Sequence, residues 1–144
     1  MSEYSDYVAE RRSRKPPELP AGMYKLKILN AVHEQDKTRV RLAIEIVDGA
    51  YAGFFRNLLD YIDNWRGYVQ QPYAGKAKYY YDKLIQTIQA SNPAADLSGN
   101  INDIDDVIVR LKGMQFRVYL DPFVYKRVNS RDYIRYNMVF KKGR

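Results

Sequence analysis

Arginine and tyrosine alternate in the last quarter of the chain, and this spacing is the clearest chemical pattern in the sequence. Three such pairs occur: Arg117 with Tyr119, Tyr125 with Arg127, and Tyr133 with Arg135. Because alternate side chains of a β-strand point to the same face, the two members of each pair are expected to lie together. Guanidinium groups neutralise phosphates, and aromatic rings stack on unpaired bases. The pattern therefore predicts a surface for single-stranded nucleic acid.

Two further regions offer the same combination of groups. On the outer faces of the first two predicted strands, Lys25 and Lys27 are expected to lie beside Arg39 and Arg41, and all four to contact phosphates. The loop sequence Trp65-Arg66-Gly67-Tyr68 adds a secondary site, with Trp65 and Arg66 as its candidate ligands. A lone tryptophan in a loop also commonly folds back onto the protein, so Trp65 has two interpretations.

The net charge of the chain is concentrated towards its C-terminal end. The chain has 144 residues, with 24 Lys and Arg against 17 Asp and Glu, which gives a net charge of +7. Residues 110–144 alone carry +8, whereas residues 92–109 contain four aspartates and no basic residue. A solvated basic face and a surface for a polyanionic partner both fit this asymmetry, and the interleaved tyrosines favour the second.

The composition argues against most enzyme chemistry. The sequence has no cysteine, which excludes zinc knuckles and iron–sulfur clusters, and its one histidine, His33, is a weak basis for a catalytic triad. The aspartates of residues 100–106 lack the glycine and glutamate of an EF-hand loop. No glycine-rich loop suited to phosphate occurs. We therefore predict a non-enzymatic protein with no cofactor and no metal.

Hydrophobic periodicity predicts the elements that must position the basic and aromatic residues. Residues 1–21, interrupted by three prolines, are expected to form a flexible N-terminal arm, and residues 22–144 a single nucleic-acid-binding domain. Strands are predicted over residues 23–28, 39–46, 53–59 and 114–120, with a closing hairpin over 123–128 and 132–140. A helix is predicted over 75–91, and a loop over 60–73. This order is that of a mainly β, OB-fold-like five-stranded antiparallel barrel with one helix between strands 3 and 4.

The tyrosines divide between the predicted core and the predicted surface. Four fall on apolar stripes and are assigned to packing: Tyr24, Tyr80, Tyr81 and Tyr136. Tyr79 lies on a different face of the helix and is expected to be exposed. Residues 99–110 fit no single pattern, although Asp103 is suited to capping a short helical turn.

A spaced series of short motifs covers residues 19 to about 120. These are Leu19-Pro20-Ala21-Gly22-Met23-Tyr24, residues 48–55, residues 65–68, residues 80–93 and Leu111-Lys112-Gly113. The series resembles a group of small proteins from the replication or recombination modules of Gram-positive phages and prophages. Many of these are of unknown function, and some are regarded as OB-fold single-stranded-DNA-binding proteins. The basic hairpin of the present chain departs from the more acidic C-terminal stretch expected in that group.

The resemblance implies a protein that acts on single-stranded DNA in the cytoplasm of a bacterial host cell. It also implies phage recombinase or replication proteins as partners. The absence of an apolar run of about 20 residues, together with the polar start of the chain, predicts no membrane partner. RNA fits the same residues, since nothing in the sequence reports a contact with a 2′-hydroxyl. A homo-oligomer fits this interpretation, since several copies bound together would gain avidity for the nucleic acid. The alternative is a phage-encoded adaptor or inhibitor that binds a host protein or nucleoprotein.

Overall fold

The computed structural model describes residues 15–97, 102–125 and 133–140. Five strands follow one another as β1 (Gly22–Glu34), β2 (Arg39–Ile46), β3 (Tyr68–Pro72), β4 (Gln115–Tyr125) and β5 (Tyr133–Val139). Three α-helices are placed between them, namely α1 (Phe54–Leu58), α2 (Lys78–Ser91) and α3 (Ile104–Leu111). Within these described ranges, no helix is long and apolar enough to cross a membrane.

All strand pairs are antiparallel, and the order of strands across the sheet is β3-β2-β1-β4-β5. The two edge strands of the sheet, β3 and β5, also contact each other, so the sheet curls into a nearly closed barrel. Helix α2 follows β3 in the chain and precedes β4. The predicted OB-fold-like five-stranded barrel, with a helix between strands 3 and 4, is therefore confirmed.

The barrel interior is filled by the inward side chains of the strands. Strand β2 alternates regularly, with Val40, Leu42, Ile44 and Ile46 buried and the intervening residues half-buried. In β1 an irregularity in the register at Leu29 shifts the alternation, because Ile28 pairs with Ile44 whereas Asn30 pairs with Ala43. A bulge of this kind bends a strand strongly, which helps a sheet to close.

Helix α2 packs against the barrel through one face. Its buried residues are Tyr81, Leu84, Ile85 and Ile88, at the spacing of successive helical turns. Tyr79 is exposed as predicted, whereas Tyr80 is also 38% exposed, so its assignment to the core is wrong. The reason is geometric, since Tyr80 precedes Tyr81 by one residue and a helix turns by about 100° per residue.

The predicted third strand is wrong. Residues 53–59 contain helix α1, and β3 lies at Tyr68–Pro72, inside the segment predicted as a loop. The apolar residues of α1 bury together on one helical face, and the Glu45 carboxylate accepts hydrogen bonds from the backbone N–H groups of Phe55 (3.0 Å) and Arg56 (2.8 Å). Strand β3 is short and half polar, so pairing with β2 rather than its own hydrophobicity stabilises it.

The prediction of one helix between strands 3 and 4 is incomplete, because α3 follows α2 before β4 begins. Asp103 caps α3 as predicted, since its side chain accepts a hydrogen bond from the Asp106 N–H at 3.2 Å. Residues 1–14 of the predicted arm lie outside the described residues. Leu19, also within that arm, is buried at 4% exposure and belongs to the core.

Candidate functional site

A groove of about 230 Å³ lies at the place where β3 and β5 approach each other. It is lined by residues from β2, β3, β5 and the loop before β3: Arg41, Trp65, Arg66, Tyr68, Gln70, Ile134 and Arg135. We call it the arginine groove. Among the described residues that line it there are three guanidinium groups and no carboxylate. The groove is therefore strongly electropositive and suited to an anion.

The alternation of β2 places Arg41 in the groove. Its neighbours Val40 and Leu42 point into the core, so the Arg41 side chain points outward, and the register pairs Arg41 with Gln70 on β3. The Arg41 guanidinium lies over the ring of Tyr68, with its Cζ atom 4.9 Å from the ring centroid. This cation–π contact orients a charge and an aromatic ring towards the same groove.

Gly67 holds the loop before β3 against β2. Its carbonyl oxygen accepts hydrogen bonds from the Ile44 backbone N–H (2.8 Å) and from Trp65 Nε1 (3.0 Å). A Cβ atom at Gly67 would lie 2.5 Å from the Ile44 carbonyl oxygen and 2.7 Å from the Phe55 ring. Only glycine permits so close an approach, which fixes Trp65 and Arg66 at the rim of the groove.

Trp65 satisfies both interpretations made from the sequence. Its ring packs on Phe55, with centroids 6.2 Å apart, so the side chain folds back onto the barrel as a half-buried residue. The same side chain also lines the arginine groove. Its indole N–H is already engaged by Gly67, which leaves the ring itself as the part that can contact a ligand.

Two of the arginines have buried polar atoms that lack a partner. The Nε atoms of Arg41 and Arg66 are buried and have no hydrogen-bond acceptor within the described part of the chain. A buried donor without an acceptor is costly. In the core, burial raises the pKa of Tyr136 to about 12, and the charge of Arg66 opposes this shift.

An exposed aromatic residue, Phe123, extends the site along β4. It lies directly opposite Arg135 in the β4–β5 register, so both side chains occupy the same outer face of the sheet. Phe123 is 54% exposed, which is unusual for so large an apolar residue. The sequence analysis missed Phe123 and Tyr68 as site residues. The sequence contains a signal for each of them. Phe123 is an even number of residues from Tyr119, so both point to the same face of a strand, and Tyr68 is the last residue of the segment Trp65-Arg66-Gly67-Tyr68.

A second basic surface lies on the outer faces of β1 and β4. Lys25 is directly opposite Arg117, and Met23 is directly opposite Tyr119. Arg117 forms an ion pair with Asp48, with Nη2 and Oδ2 2.7 Å apart. Lys27, on the same face of β1, is exposed. These predicted residues come together, but none of them lines the arginine groove.

The expected proximity of Lys25 and Lys27 to Arg39 and Arg41 is wrong. The residues of β1 that lie opposite Arg39 and Arg41 are Glu34 and Val32, because an antiparallel hairpin brings the end of β1 to the start of β2. Arg39 Nε donates to Glu34 Oε1 at 2.7 Å, and this hydrogen bond lowers the pKa of Glu34 below its usual value. Arg39 is thus held by a carboxylate on its own hairpin.

The remaining predicted residues are Tyr125, Arg127 and Tyr133. The backbone register pairs Tyr125 with Tyr133. The side chains of these two tyrosines, and the whole of Arg127, lie outside what the structure describes. Their predicted roles in stacking and phosphate binding stay predictions.

No protein-family model, curated protein sequence or solved structure matches the chain. Its description therefore rests on the fold and on the site. In the described ranges, no group of three or more histidine, aspartate and glutamate side chains could hold a metal ion. The fold and the site together define an OB-fold-like barrel with an electropositive, aromatic groove on its outer surface.

Proposed function

We propose that the protein binds single-stranded DNA in the arginine groove without catalysing a reaction. The observation that supports this proposal is the convergence of three arginines and two aromatic side chains on one groove of the barrel. We further propose, from the sequence resemblance, that this activity serves phage or prophage DNA replication or recombination in the cytoplasm of a bacterium. Phage recombination or replication proteins would then be its partners.

In this proposal the phosphates contact the guanidinium groups, and the bases stack on the rings. Arg41, Arg66 and Arg135 line the groove and supply three positive charges. Trp65 and Tyr68 offer rings in the groove, and Phe123 offers a ring opposite Arg135 on the outer face of the sheet. Stacking of this kind favours unpaired bases, since paired bases keep their faces covered, and it gives little sequence preference.

A titration with labelled oligonucleotides tests the proposal directly. Fluorescence anisotropy of a poly-dT strand should report binding that weakens with salt, with a slope of about −0.7 for each phosphate neutralised. A duplex of the same length should bind more weakly, and a poly-rU strand compares RNA with DNA. No binding to any single strand at low salt would overturn the proposal.

A pair of matched double variants locates the site. Arg41→Ala with Arg66→Ala removes two positive charges from the groove, whereas Arg56→Ala with Lys76→Ala removes two from exposed positions that do not line it. Only the first variant should lose affinity strongly. An equal loss from both would indicate that net charge, rather than the groove, governs binding.

The alternative, a phage-encoded adaptor or inhibitor of a host protein, is favoured by a different observation. A largely apolar groove with exposed Met23 and Val139 lies away from the arginine groove, and apolar surface of this kind is typical of protein contacts. Retention of a protein partner by a chain that binds no single strand would support this alternative.

A further inference from the structure

The three arginines of the arginine groove come from three separate segments of the chain. Arg41 belongs to β2, Arg66 to the loop before β3, and Arg135 to β5. Strand β3 contributes Tyr68 and Gln70, which alternate with buried residues and therefore lie on its outer face. A single group bound in the groove can thus be contacted by cations from three segments.

Two of these arginines have charges that no carboxylate balances. Elsewhere in the fold, Arg39, Arg110 and Arg117 each form an ion pair with an aspartate or a glutamate. Neither Arg41 nor Arg66 forms an ion pair with a carboxylate in the part of the chain that the structure describes. The groove therefore holds an excess of positive charge that an anion from outside the protein can neutralise.

The groove is small for a site that binds nucleic acid. Its volume of about 230 Å³ is below the roughly 300–1,000 Å³ of ordinary small-molecule pockets. A groove of this size admits one nucleotide, and hence one phosphate, at a time. The unbalanced charges of Arg41 and Arg66 therefore face the same phosphate rather than successive phosphates of a strand.

The charge of that phosphate indicates its chemical form. An internal phosphodiester carries a single negative charge. A terminal phosphomonoester carries about −1.5 to −2 at neutral pH, because its second pKa is about 6, and it presents three strong acceptor oxygens. Guanidinium groups bind such oxygens in bidentate pairs. Two guanidinium groups, those of Arg41 and Arg66, therefore match a terminal phosphate better than an internal one.

We propose that the arginine groove holds the terminal phosphate of a single strand, an inference that rests on the proposed function. Arg41 and Arg66 bind this phosphate, and the terminal base contacts the ring of Tyr68 beside them. Phe123, opposite Arg135 on the outer face of the sheet, offers a ring to the following base. The protein then binds the end of a strand in preference to its interior. A 5′ end, a 3′ end and a free nucleotide share the same phosphomonoester, and the experiment separates these sources.

Competition between unlabelled oligo-dT strands of equal length and one labelled reporter strand tests this inference. The competitors carry a 5′-phosphate, a 3′-phosphate, hydroxyl groups at both ends, or no ends because the strand is circular. One of the phosphorylated strands should bind on the order of tenfold more tightly than the hydroxyl strand, and the circular strand should bind like the hydroxyl strand. Thymidine 5′-monophosphate should compete far more weakly, and equal competition by this free nucleotide would overturn a strand end as the ligand.

The preference for a phosphorylated end should fall at about pH 5, where the terminal phosphate has lost most of its second charge. No histidine and no carboxylate is among the described residues that line the groove, so the change occurs in the ligand. The groups that face the phosphate are the three arginines and Tyr68. A preference that is the same at pH 5 and pH 8 would contradict recognition of the second charge.

Variants of the groove should lose the preference for a phosphorylated end. Arg41→Ala with Arg66→Ala should abolish it, whereas Arg56→Ala with Lys76→Ala, at exposed positions that do not line the groove, should keep it. Arg66→Gln removes one charge with less loss of side chain, and it should reduce the preference even if the double variant does not fold. Equal binding of the phosphorylated, hydroxyl and circular strands would overturn this inference and leave the proposed function standing. Absence of binding to every strand would overturn both.

Discussion

The guanidinium of Arg41 lies over the ring of Tyr68, with 4.9 Å between the Arg41 Cζ atom and the ring centroid. The two residues belong to adjacent strands, and the contact turns both towards the arginine groove. A cation over an aromatic face contributes about 0.5–1 kcal/mol at an exposed site. The pair thus holds a cationic group and an aromatic ring in a fixed relation at the arginine groove.

Removal of a single arginine from the groove should weaken the binding of single-stranded DNA. Arg66→Ala should lower the affinity on the order of tenfold or more, because a charge-assisted hydrogen bond contributes about 1.5–3 kcal/mol. The slope of log affinity against log salt should become shallower by about 0.7. Arg66→Lys is the control, since it keeps the charge and should keep the slope. An unchanged slope in Arg66→Ala would contradict a phosphate contact at this residue.

Loss of an aromatic ring should weaken binding without changing its dependence on salt. Phe123→Ala should cost about 1–3 kcal/mol of binding free energy, because one stacked base is lost while every charge is kept. Anisotropy titrations at several salt concentrations measure both quantities. Leu59→Ala, which removes an exposed apolar side chain that does not line the groove, should have no effect. A changed salt slope in Phe123→Ala would show that its role is not stacking.

Trp65 provides an intrinsic probe of the groove, because it is the one tryptophan of the chain. Its fluorescence should change on addition of poly-dT and should saturate together with the anisotropy signal, since the ring lines the site. If anisotropy reports binding while the fluorescence stays constant, the DNA contacts a different surface. The face of β1 and β4 that carries Lys25 and Arg117 would then be the first candidate.

Gly67→Ala should destabilise the protein. The new Cβ atom would lie 2.5 Å from the Ile44 carbonyl oxygen, so β2 and the loop before β3 must separate. Overpacking of this kind costs about 1–3 kcal/mol. Gly22→Ala is the matched control, because a Cβ atom there would meet only the Tyr24 side chain, at an ordinary contact distance of 3.7 Å. Urea denaturation compares the two, and an equal loss of stability would indicate that close packing at Gly67 is unimportant.

The stability of the protein should fall at alkaline pH through Tyr136. Burial raises its pKa from 10.0 to about 12. Between these values the unfolded chain releases the phenolic proton and the folded protein keeps it. The free energy of unfolding therefore falls by about 1.4 kcal/mol for each pH unit and for each such group.

Tyr81 contributes in the same direction, since its pKa is also raised to about 12, chiefly by burial. Between pH 10 and pH 12 the free energy of unfolding of Tyr136→Phe should fall less steeply than that of the wild type, because one of the two ionising phenols is absent. Urea denaturation across this range measures it, with Tyr79→Phe, at an exposed position, as the control. An alkaline profile identical to that of the wild type would show that Tyr136 ionises as readily in the folded state.

Local sequence patterns predicted correctly those elements in which the pattern of apolar and polar residues matches the buried and exposed faces of the element. Strand β2 has a regular alternation of apolar and polar residues, and α2 has an apolar stripe at helical spacing, so both were predicted correctly. Strand β3 was missed because a short, half-polar segment gains its stability from its partner strand. Helix α1 was mistaken for a strand because its cap comes from Glu45, a residue of β2 that local sequence does not bring near.

The types of groups in the candidate site were evident from the sequence, but their grouping was not. Arg41, Trp65, Arg66 and Arg135 were all predicted as ligands from local alternation and motif composition. Arg41, the adjacent pair Trp65 and Arg66, and Arg135 are far apart along the chain, and only the approach of β3 to β5 brings them to one groove. Residues 25, 27, 117 and 119, predicted on the same grounds, lie on a different face.

The sequence by itself determined the fold class, the positive charge and the supply of arginines and aromatic rings. These follow from periodicity and composition, which every segment carries locally. The tertiary structure decided which of those side chains share a groove and which of them lie on another face of the barrel. It did so because strand register and barrel closure arise from pairing between distant segments, and no local pattern specifies that pairing.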